Sequence, residues 1–554
     1  MKRKLKVIAA ILLVLIMFIS AMPMQLAAEA MTPPTTRYAT PDGYNDHDYQ
    51  KMVAFFEQTD ENGVRNGEKL SEDYDPTDPE TWRKYDGNYC RGTIKWTTVA
   101  GEYRLCEIFF GGRSTDAYPL ELVGFLDVSE CTALAKVRYA SFGDIQLTGL
   151  DVSGCTALEE LHCVRLSYAN YYSYNGIVEL NVSNCTALTG LDCFGNQLTE
   201  LDVSTNTGLV WLDCSGNQLT ELDVSTNAEL VRLDCSGNQL TNLDVSANTE
   251  LDTLYCSGNQ LTELDVGANT GLRTLYCSDN RLTSLDVSAN TGLRELDCSG
   301  NQLTELDISA NTGLWGLWCS GNQLTELDVS TNAELVWLGC SGNQLTELDV
   351  SAKAELYELD CSGNQLTELD VSTNAALYAL DCSDNQLTEL DISANAALYA
   401  LDCSGNQLTE LDLSNNPRID IDTISAEGSG FIGVGTERDE NYDFKWYCIK
   451  AVPVPGNSFC GWYAVDGTLL STNVEINRND FDGVNDFIAK FTASTPGGIG
   501  DVDGDGEITT YDALLIMRYA LGVETDGNEL IMDFDGNGCV DALDALLVLR
   551  RSIV

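Results

Sequence analysis

The line of sequence that decides the fold runs from Leu209 to Glu229 and reads Leu-Val-Trp-Leu-Asp-Cys-Ser-Gly-Asn-Gln-Leu-Thr-Glu-Leu-Asp-Val-Ser-Thr-Asn-Ala-Glu. The same 21-residue line repeats from about 188 to 413, and its cysteine returns at a constant interval. The recurring cysteines are Cys193, Cys214, Cys235, Cys256, Cys277, Cys298, Cys319, Cys340, Cys361, Cys382 and Cys403. A period this strict predicts one supersecondary unit repeated along an axis.

Each line contains two related halves. In each half apolar and polar residues alternate, as at Leu212 and Cys214, which predicts a strand with one inward face. Asn217 and Asn227 lie where the chain must turn, and asparagine tolerates left-handed backbone and bonds nearby backbone groups. We therefore expect two short strands and two asparagine turns per repeat, stacked into a flattened coil with two parallel sheets. In register, the asparagine amides should form ladders over open carbonyls.

The pattern L-x-x-L-x-C-x-x-N-x-L resembles the leucine-rich repeat, with cysteine in one apolar slot, and it covers roughly 125–416. The doubled half-repeat is similar to the nested bacterial subtype of that family. The resemblance implies a mainly β protein, in which 121–417 form a parallel-stranded solenoid.

Residues 31–120 precede the repeats and have no period of their own. Asp46–Phe56 predicts a short helix, Trp82 ends a loop, and Thr93–Trp96 and Leu105–Phe110 predict strands. This order resembles the N-terminal cap of extracellular leucine-rich repeats. A cap is needed because the first coil would otherwise expose its core.

The early turns, 121–187, are irregular. Cys131, Cys155 and Cys185 stand in the place of the turn asparagine. An insertion, Ser167–Tyr174, carries four tyrosines. It is either a contact surface or a tolerated loop.

Residues 418–495 predict a small β domain. Within it, Phe459–Tyr463 and Phe487–Phe491 resemble the β-grasp repeats that follow repeat arrays in bacterial surface proteins.

The 20 cysteines of a chain with an export signal would ordinarily predict disulfides. The eleven regular cysteines point inward from successive turns with parallel Cβ vectors, so we predict a buried ladder of thiols that pack as small apolar residues. Two pairs stay open as bridges: Cys90 with Cys106, as in the caps that the segment resembles, and Cys448 with Cys460.

Two twelve-residue loops near the C-terminus have the spacing of calcium sites, with oxygen ligands at places one, three, five, nine and twelve and a backbone carbonyl at seven. A glycine at the sixth place permits the sharp turn, and a similar helix follows each loop. The predicted ligands of two calcium ions are Asp501, Asp503, Asp505, Glu507, Thr509 and Asp512, and Asp533, Asp535, Asn537, Cys539, Asp541 and Asp544.

The paired loops, over 499–554, resemble a dockerin, with aspartate at place twelve and no helix entering each loop. That resemblance implies a helical calcium-binding domain, 496–554, that binds a cohesin on a scaffolding protein, as in cellulosomes. The family's contact places fall here on Thr510, Tyr511, Met517 and Arg518, and in the second copy on Ala542, Leu543, Leu549 and Arg550.

The repeats differ from one another mainly at outward positions around the second leucine of the first half. Variation on one face of a uniform scaffold, rich in aromatic side chains, is typical of a contact surface. The predicted ligand face comprises Trp211, Arg232, Tyr255, Tyr276, Trp315, Trp318, Trp337, Tyr357, Tyr378 and Tyr399. Within it, Tyr357, Tyr378 and Tyr399 should form a row of spaced aromatic rings.

Charge and targeting limit the function. Residues 1–30, with a basic start, an apolar run and Ala28-Glu29-Ala30, predict a secretory signal peptide, with no later stretch suited to membrane insertion. A formal net charge of −54 argues against nucleic acid and anionic membranes as partners. Rows that begin at Asp202 and Glu200 are either a solubilising face or a loose divalent-cation surface.

Catalysis has little support, because His47 and His162 are the only histidines and no carboxylate pair stands out. The sequence predicts a non-catalytic secreted protein that is docked to a scaffold or cell surface and presents a face to polysaccharide or protein. The alternatives are an adhesin or protein-interaction module and, less favoured, a polysaccharide-degrading enzyme.

Overall fold

The computed structural model describes residues 37–493, apart from 87–88, 112–121, 142–145, 166–175, 420, 422, 439–443, 455–456, 478–480 and 482–483, together with Ile516. Three predictions lie outside the described residues: the signal peptide, the tyrosine-bearing insertion and, except for Ile516, the dockerin. The described residues fall into two compact units. One is drawn from Met1–Leu209 with Asp213–Gln218, and the other from Val210–Leu212 with Leu219–Val554.

The first unit begins with helices α1 (Asp46–Phe56) and α2 (Asn66–Leu70) and a 3₁₀ turn, Pro79–Thr81. The predicted helix is therefore confirmed at both ends. Strands β1 (Arg83–Asp86), β2 (Tyr89–Val99) and β3 (Glu102–Gly111) follow. The predicted strands lie within β2 and β3, which pair antiparallel.

Trp82 holds this N-terminal cap together. It is fully buried, stacks on Tyr49 with 5.3 Å between ring centroids, and meets Phe56 edge-on at the same distance. Its indole nitrogen donates to the carbonyl of Asp75, 2.9 Å away. Burial of three aromatic rings in one cluster gives the cap its own core.

The early turns carry strands in both halves. These strands are β4 (Val123–Asp127), β5 (Lys136–Ser141), β6 (Gln146–Asp151), β7 (Glu160–Arg165), β8 (Glu179–Asn181) and β9 (Gly190–Asp192). One parallel sheet continues from β3 through β5 and β7 to β9, and a second contains β4, β6 and β8. Two parallel sheets, as predicted, are therefore present here.

The regular turns carry one strand each. These strands are β10 (Trp211–Asp213), β11 (Arg232–Asp234), β12 (Thr253–Tyr255), β13 (Thr274–Tyr276), β14 (Glu295–Asp297), β15 (Gly316–Trp318), β16 (Trp337–Gly339), β17 (Glu358–Asp360), β18 (Ala379–Asp381) and β19 (Ala400–Asp402). From β11 to β19 each strand pairs parallel with the next, without a register shift.

The prediction of a second strand in every regular turn is wrong. The Leu-Thr-Glu-Leu-Asp-Val half is extended but forms no ladder until β20 (Glu410–Asp412). In this half the Leu240 N–H donates to the side-chain oxygen of Asn259 rather than to a backbone carbonyl, and the Gln239 N–H donates to the carbonyl of Leu219. The asparagine side chains thus take up backbone donors that a second ladder would use. The second leucine of this half, as at Leu222 and Leu243, stays 4–8% exposed in the regular turns, whereas the first leucine and those under the sheet are fully or almost fully buried.

The predicted asparagine ladders are confirmed, and they are of two kinds. In the first turn of the repeat, Asn259 donates to the carbonyls of Cys235 (3.0 Å) and Cys256 (3.1 Å), and its oxygen accepts from the Leu240 N–H. In the second turn, Asn248 donates to the carbonyls of Val224 (3.0 Å) and Asn227 (2.9 Å). Each amide therefore links its own turn to the one before.

The left-handed residue of the first turn is a glycine rather than the asparagine. Gly216 has a φ of +64°, and its equivalents in other turns are alike. Asp279 and Asp384, which replace that glycine in two turns, keep positive φ values of 52° and 51°. The asparagines are thus used for their amide hydrogen bonds.

Two kinds of side chain, a thiol and an ammonium, replace the asparagine amide at positions of the second ladder. Cys155 and Cys185 lie in asparagine positions, and their thiols donate to the carbonyls of Val128 (3.1 Å) and Val152 (3.0 Å), as the amides do. Lys353 occupies another asparagine position, is fully buried, and sends its ammonium to the carbonyl of Ser330, 3.3 Å away. The cysteine replacement predicted from the sequence is confirmed.

After the repeats come β21 (Thr423–Glu427), β22 (Gly430–Arg438), β23 (Phe444–Pro453), β24 (Asn457–Tyr463), β25 (Leu469–Ser471), β26 (Glu475–Asn477) and β27 (Asp486–Ala493). One sheet has the order β20-β21-β27-β24-β25, and the other has the order β22-β23-β26. The Cys403 N–H donates to the carbonyl of Val434 at 2.7 Å, and that of Ile432 donates to Leu408. This segment therefore covers the last turn of the core.

The possible bridges at Cys106 and Cys460 are not formed. Cys106 lies across from the Lys95 region of β2, five residues and thus roughly 16 Å along the strand from Cys90. That exceeds the span of a disulfide. Cys448 and Cys460 belong to different sheets, and the Cys460 sulfur lies 3.3 Å from the hydroxyl oxygen of Thr492. Both Cys448 and Cys460 are thiols.

Candidate functional site

The ten residues of the predicted ligand face lie in three parallel rows. In each regular strand the central leucine points inward, so that the first and third residues point outward. The row before the strand holds Trp315, Tyr357, Tyr378 and Tyr399; the first strand position holds Trp211, Arg232 and Trp337; the third holds Tyr255, Tyr276 and Trp318. The residues predicted to form one surface therefore fall into three separate rows, according to their position before or within the strand.

The third-position row, Tyr255, Tyr276 and Trp318, forms a chain of ring contacts that Arg232 of the first-position row extends. The Arg232 guanidinium lies over the ring of Tyr255 at 5.2 Å. Tyr255 and Tyr276 are 5.0 Å apart, and Trp318 meets Tyr276 edge-on at 6.3 Å. The Tyr276 hydroxyl donates to the Glu295 carboxylate. Partial burial and then this carboxylate raise the pKa of Tyr276, so the hydroxyl stays protonated.

The Trp318 ring packs closely against two glycines. A Cβ at Gly316 would come within 2.7 Å of the six-membered ring of Trp318, and one at Gly339 would come within 3.1 Å of its five-membered ring. In register, Gly316 is opposite Trp337, and Trp318 is opposite Gly339. Trp318 thus occupies the space that the two missing side chains leave, and Trp315 and Trp337 pair with their ring centroids 4.6 Å apart.

The three tyrosines before β17, β18 and β19 stack face to face. The ring centroids of Tyr357 and Tyr378 are 4.9 Å apart, and the two ring planes are nearly parallel, with 4° between them. The centroids of Tyr378 and Tyr399 are 5.1 Å apart, with 18° between the planes. The spacing matches the spacing of adjacent strands, because the rings come from the same position of successive turns. The predicted row of spaced aromatics is therefore present, as a stack.

An acidic row lies opposite the tyrosines and was not among the predicted site residues. Asp360, Asp381 and Asp402 follow one another in register at the third strand position. Each carboxylate accepts from the backbone N–H and the hydroxyl of the serine two residues on, with Asp381 at 3.1 and 2.6 Å from Ser383. In the sequence this acidic row is marked by the recurring Asp-Cys-Ser, which resembles a turn motif with a structural role.

Asp381, in the middle of this row, has an unusual pKa. Burial, and then the charges of Asp402 and Asp360, raise the pKa of its carboxyl to about 6, although Ser383 opposes the shift. A carboxyl between two others in a partly desolvated row is disfavoured as an anion.

The other acidic rows lie along the half-repeat that lacks a ladder. They border a groove of about 1470 Å³ whose floor is a line of leucines. Each aspartate that lines the groove accepts from the N–H of the serine two residues on, as Asp307 does from Ser309 at 2.9 Å. The Ser309 hydroxyl, and then this N–H, lower the pKa of the Asp307 carboxyl. Across the described residues, the acidic rows bring no three carboxylates close enough to hold one metal ion.

Within the same described ranges, the single group of three metal-ligand side chains is His47, Asp48 and Cys131. Its polar atoms already have partners. The Arg104 guanidinium is 2.7 Å from the Asp48 carboxylate, and the imidazole of His47 lies 2.8 Å from the carbonyl of Ser129. The arrangement ties the cap to the first turns.

The predicted thiol ladder is confirmed. All eleven regular cysteines are fully buried, and each is a thiol. Burial, and to a smaller extent the charge of Asp234, raises the pKa of Cys256 to about 12, and burial likewise raises the pKa values of Cys193, Cys277 and Cys298. Since the thiolate is the reactive form, these cysteines are inert packing residues.

The predicted calcium ligands and cohesin contacts lie outside the described residues. Between 494 and 554 the structure describes Ile516 alone, which is helical and buried. Within the described part of the chain, none of the helices has the length and apolarity to cross a bilayer.

Comparison with known proteins adds two domain matches. Residues 499–551 match the dockerin type I domain, and residues 249–290 and 270–311 each match a pair of leucine-rich repeats. A search of curated proteins found no match.

Three solved bacterial structures are similar to this chain. The functional domain of InlJ from Listeria monocytogenes, described as including a cysteine ladder, is 28% identical over 61% of this chain and 91% of its own, with a TM-score of 0.40. A leucine-rich-repeat protein of Leptospira interrogans is 23% identical over 55% and 85%, with a TM-score of 0.43. YopM from Yersinia enterocolitica is 26% identical over 52% and 72%, with a TM-score of 0.35.

The repeats and the strands they form define a leucine-rich-repeat protein built as a parallel-stranded solenoid. Its C-terminal residues, 499–551, are a dockerin type I domain. A dockerin implies a cohesin partner and bound calcium, and a leucine-rich-repeat solenoid implies a protein ligand. Together they indicate a protein-interaction module with cohesin-type anchoring.

Proposed function

We propose that this chain is a non-catalytic, secreted binding protein that docks through its dockerin, in a calcium-dependent manner, to a cohesin on a scaffold or cell surface. The solenoid then presents the outward face of its sheet to a ligand. The observation that carries this proposal is the run of aromatic side chains from Tyr255 to Tyr399, in three registered rows on one face.

The dockerin supports the anchoring half of the proposal. Its two loops supply the number of oxygen ligands that calcium requires, including main-chain carbonyls at Glu507 and Cys539. We assign one ion to each loop. The two copies differ at the cohesin contact places, Thr510 and Tyr511 against Ala542 and Leu543, so one binding orientation should dominate.

The tyrosine stack favours a protein as the ligand. Rings that lie on one another at 4.9 and 5.1 Å cover most of their own faces and present edges and hydroxyls outward. Such a row offers hydrogen bonds and an apolar ridge, as protein interfaces use. A protein ligand would also fit the alternative role as a cell-surface adhesin.

A polysaccharide is the second candidate, and Trp318 favours it. Its ring lies across the strand over Gly316 and is only partly covered, which leaves indole surface for stacking on a sugar. Trp315 and Trp337 extend this apolar patch.

The test uses the full chain with calcium, captured on an immobilised cohesin and offered to a glycan array and to a panel of purified extracellular proteins. A Trp315/Trp318/Trp337→Ala variant is compared with Tyr463→Ala, an aromatic control outside the rows. Ligand loss in the triple variant alone supports the sheet face. A Tyr357/Tyr378/Tyr399→Ala variant tests the tyrosine stack in the same way. Binding by both triple variants equal to that of the control refutes the sheet face, and release of products from any bound glycan would indicate an enzyme instead.

A further inference from the structure

The indole of Trp318 lies along the sheet with one face covered by backbone and the other turned outward. The covered face packs on Gly316 and Gly339, where added Cβ atoms would meet the ring at 2.7 and 3.1 Å. Among the described residues no ring stacks on the other face, since the one ring contact of Trp318 is with Tyr276, at 6.3 Å and near-perpendicular. The side chain is partly exposed. The sheet therefore presents an open, fixed indole face to solvent.

The three tryptophans of this patch also keep a hydrogen-bond donor for a ligand. Within the part of the chain that the structure describes, the indole N–H groups of Trp315, Trp318 and Trp337 have no partner. They are not sealed in the core, as the indole nitrogen of Trp96 is, and the buried Trp82 already donates from the same atom. Each N–H of the patch is thus a donor that a ligand oxygen can use.

Carboxylates lie beside these donors. Glu295 and Asp297 belong to β14, where Asp297 is directly opposite Trp318 in register. Glu295 accepts from the Tyr276 hydroxyl, and Oδ1 of Asp297 accepts from the Ser299 N–H at 3.0 Å. Among the described residues, the other oxygen of Asp297 accepts no hydrogen bond. The patch therefore combines an apolar face, donors and acceptors.

The charge of the patch limits which ligand fits it. Glu295 and Asp297 form no ion pair with any residue that the structure describes. The Arg294 guanidinium, one turn before Trp315, is already paired with Glu334 at 2.8 Å. An anionic ligand would meet like charges at this position. A cationic group would be attracted, but it has no acceptor for the indole N–H groups.

We infer that the outward face of Trp318 binds a neutral sugar unit of a β-linked glucan. This inference rests on the second candidate ligand of the proposed function and narrows its class. The hydroxyls of β-glucose are equatorial, so each face of the sugar ring is a C–H surface that can stack on indole. The same hydroxyls can donate to Asp297 and accept from an indole N–H. Trp315 and Trp337, with ring centroids 4.6 Å apart, lie beside it for an adjoining unit.

The test titrates the calcium-loaded full chain, dialysed free of unbound calcium, with hydroxyethyl cellulose and with carboxymethyl cellulose in a calorimeter at physiological salt. These polymers carry neutral and anionic substituents on the same β-linked glucose backbone. Trp318→Ala tests the stacking. Glu295→Gln/Asp297→Asn tests the charge and keeps an oxygen for each hydrogen bond that these side chains accept. The matched control is Glu305→Gln/Asp307→Asn, which changes the same Glu-Leu-Asp sequence in the other half of the turn, along the acidic groove.

The wild type should bind hydroxyethyl cellulose, and it should bind carboxymethyl cellulose about tenfold more weakly or less, because the anionic substituents approach fixed carboxylates. Trp318→Ala should weaken binding of the neutral polymer by about tenfold or more. Glu295→Gln/Asp297→Asn should reduce the difference between the two polymers, whereas the control should keep it, since exposed charges more than about 10 Å apart are largely screened.

Equal binding of the two polymers by the wild type, unchanged binding by Trp318→Ala, or an equal change in both amide variants would each overturn the inference. So would the absence of binding between the wild type and hydroxyethyl cellulose. If another glycan or a protein is then still lost in the Trp315/Trp318/Trp337→Ala variant, the sheet face stands and the assignment of a neutral glucan alone fails. Failure of the inference is thereby distinguished from failure of the proposed function.

Discussion

Replacement of Lys353 by asparagine should stabilise the solenoid, because the lysine interrupts a ladder that its neighbours complete. Asn332 donates to the carbonyls of Ile308 (3.2 Å) and Asn311 (2.8 Å), and Asn374 donates to Val350 (3.0 Å) and Lys353 (2.7 Å). Asparagine at position 353 would make the equivalent pair of bonds. At about 0.5–1.5 kcal/mol for each, Lys353→Asn should raise the free energy of unfolding by about 1–3 kcal/mol.

The gain should depend on pH. Burial lowers the pKa of Lys353 below its ordinary value, while Asp349 and Asp328 partly oppose the shift. A base with a lowered pKa destabilises the folded state while it is protonated, so the wild type recovers stability as pH rises towards the lysine's unfolded pKa. The advantage of Lys353→Asn should therefore be largest near neutral pH and shrink as pH approaches about 10.

Urea unfolding and hydrogen exchange would measure this effect, because stability in a repeat array is local to a turn and its neighbours. Slower exchange is expected in peptides that span residues 345–380. Lys353→Met is the control, since it keeps the buried stem but offers neither charge nor amide. The ladder explanation is refuted if asparagine stabilises no more than methionine, or if the difference from the wild type is the same at pH 7 and pH 10.

Four further outcomes follow from the site and the cap. Asp381→Asn should raise the free energy of unfolding by up to about 3 kcal/mol above pH 6, since the raised pKa of this carboxyl costs stability once it ionises; the gain should vanish below about pH 4 in parallel pH-dependent melts. Iodoacetamide should leave the ladder thiols unmodified in the folded protein and modify them in guanidinium, as peptide mass spectrometry would detect; rapid native labelling at Cys256 would contradict their burial. Asp48→Ala should cost about 3–5 kcal/mol, because it leaves Arg104 without its buried partner, and a thermal melt unchanged from wild type would show that the pair is dispensable. EDTA, or Asp501→Ala with Asp533→Ala, should abolish capture by a cohesin, whereas capture that persists without calcium would argue against the predicted loops.

Much of the solenoid could be predicted from local sequence because each repeat meets only its neighbours. The 21-residue interval fixes which residues lie beside one another on successive turns, as Cys235 and Cys256 do. Alternation then assigns the inward leucines and cysteines, and the asparagine positions assign the ladders. The helix Asp46–Phe56 was also predicted from local sequence, and in the structure the Asn45 side chain caps it by accepting from the Asp48 N–H.

The arrangement of the candidate site could be predicted only in part. The sequence identified the aromatic positions and the row of Tyr357, Tyr378 and Tyr399, but it did not place Asp381 opposite the tyrosines. It also gave no reason to connect Gly316 and Gly339 with Trp318. These relations depend on side-chain directions and on cross-strand register, which a one-dimensional pattern does not contain.

The sequence alone determined the repeat and the buried thiol ladder, because each depends on spacing along the chain, and spacing is likewise the basis on which it predicts two calcium loops. Tertiary structure decided which half of each repeat closes into a sheet. The first half forms a ladder, whereas in the second half asparagine side chains accept from backbone N–H groups, as Asn259 does from Leu240, and no strand forms until β20. It also decided that the tyrosines stack and face an acidic row, because strand spacing of about 5 Å brings the same position of successive turns into contact. Both outcomes depend on distances between turns, which exist only once the chain has coiled.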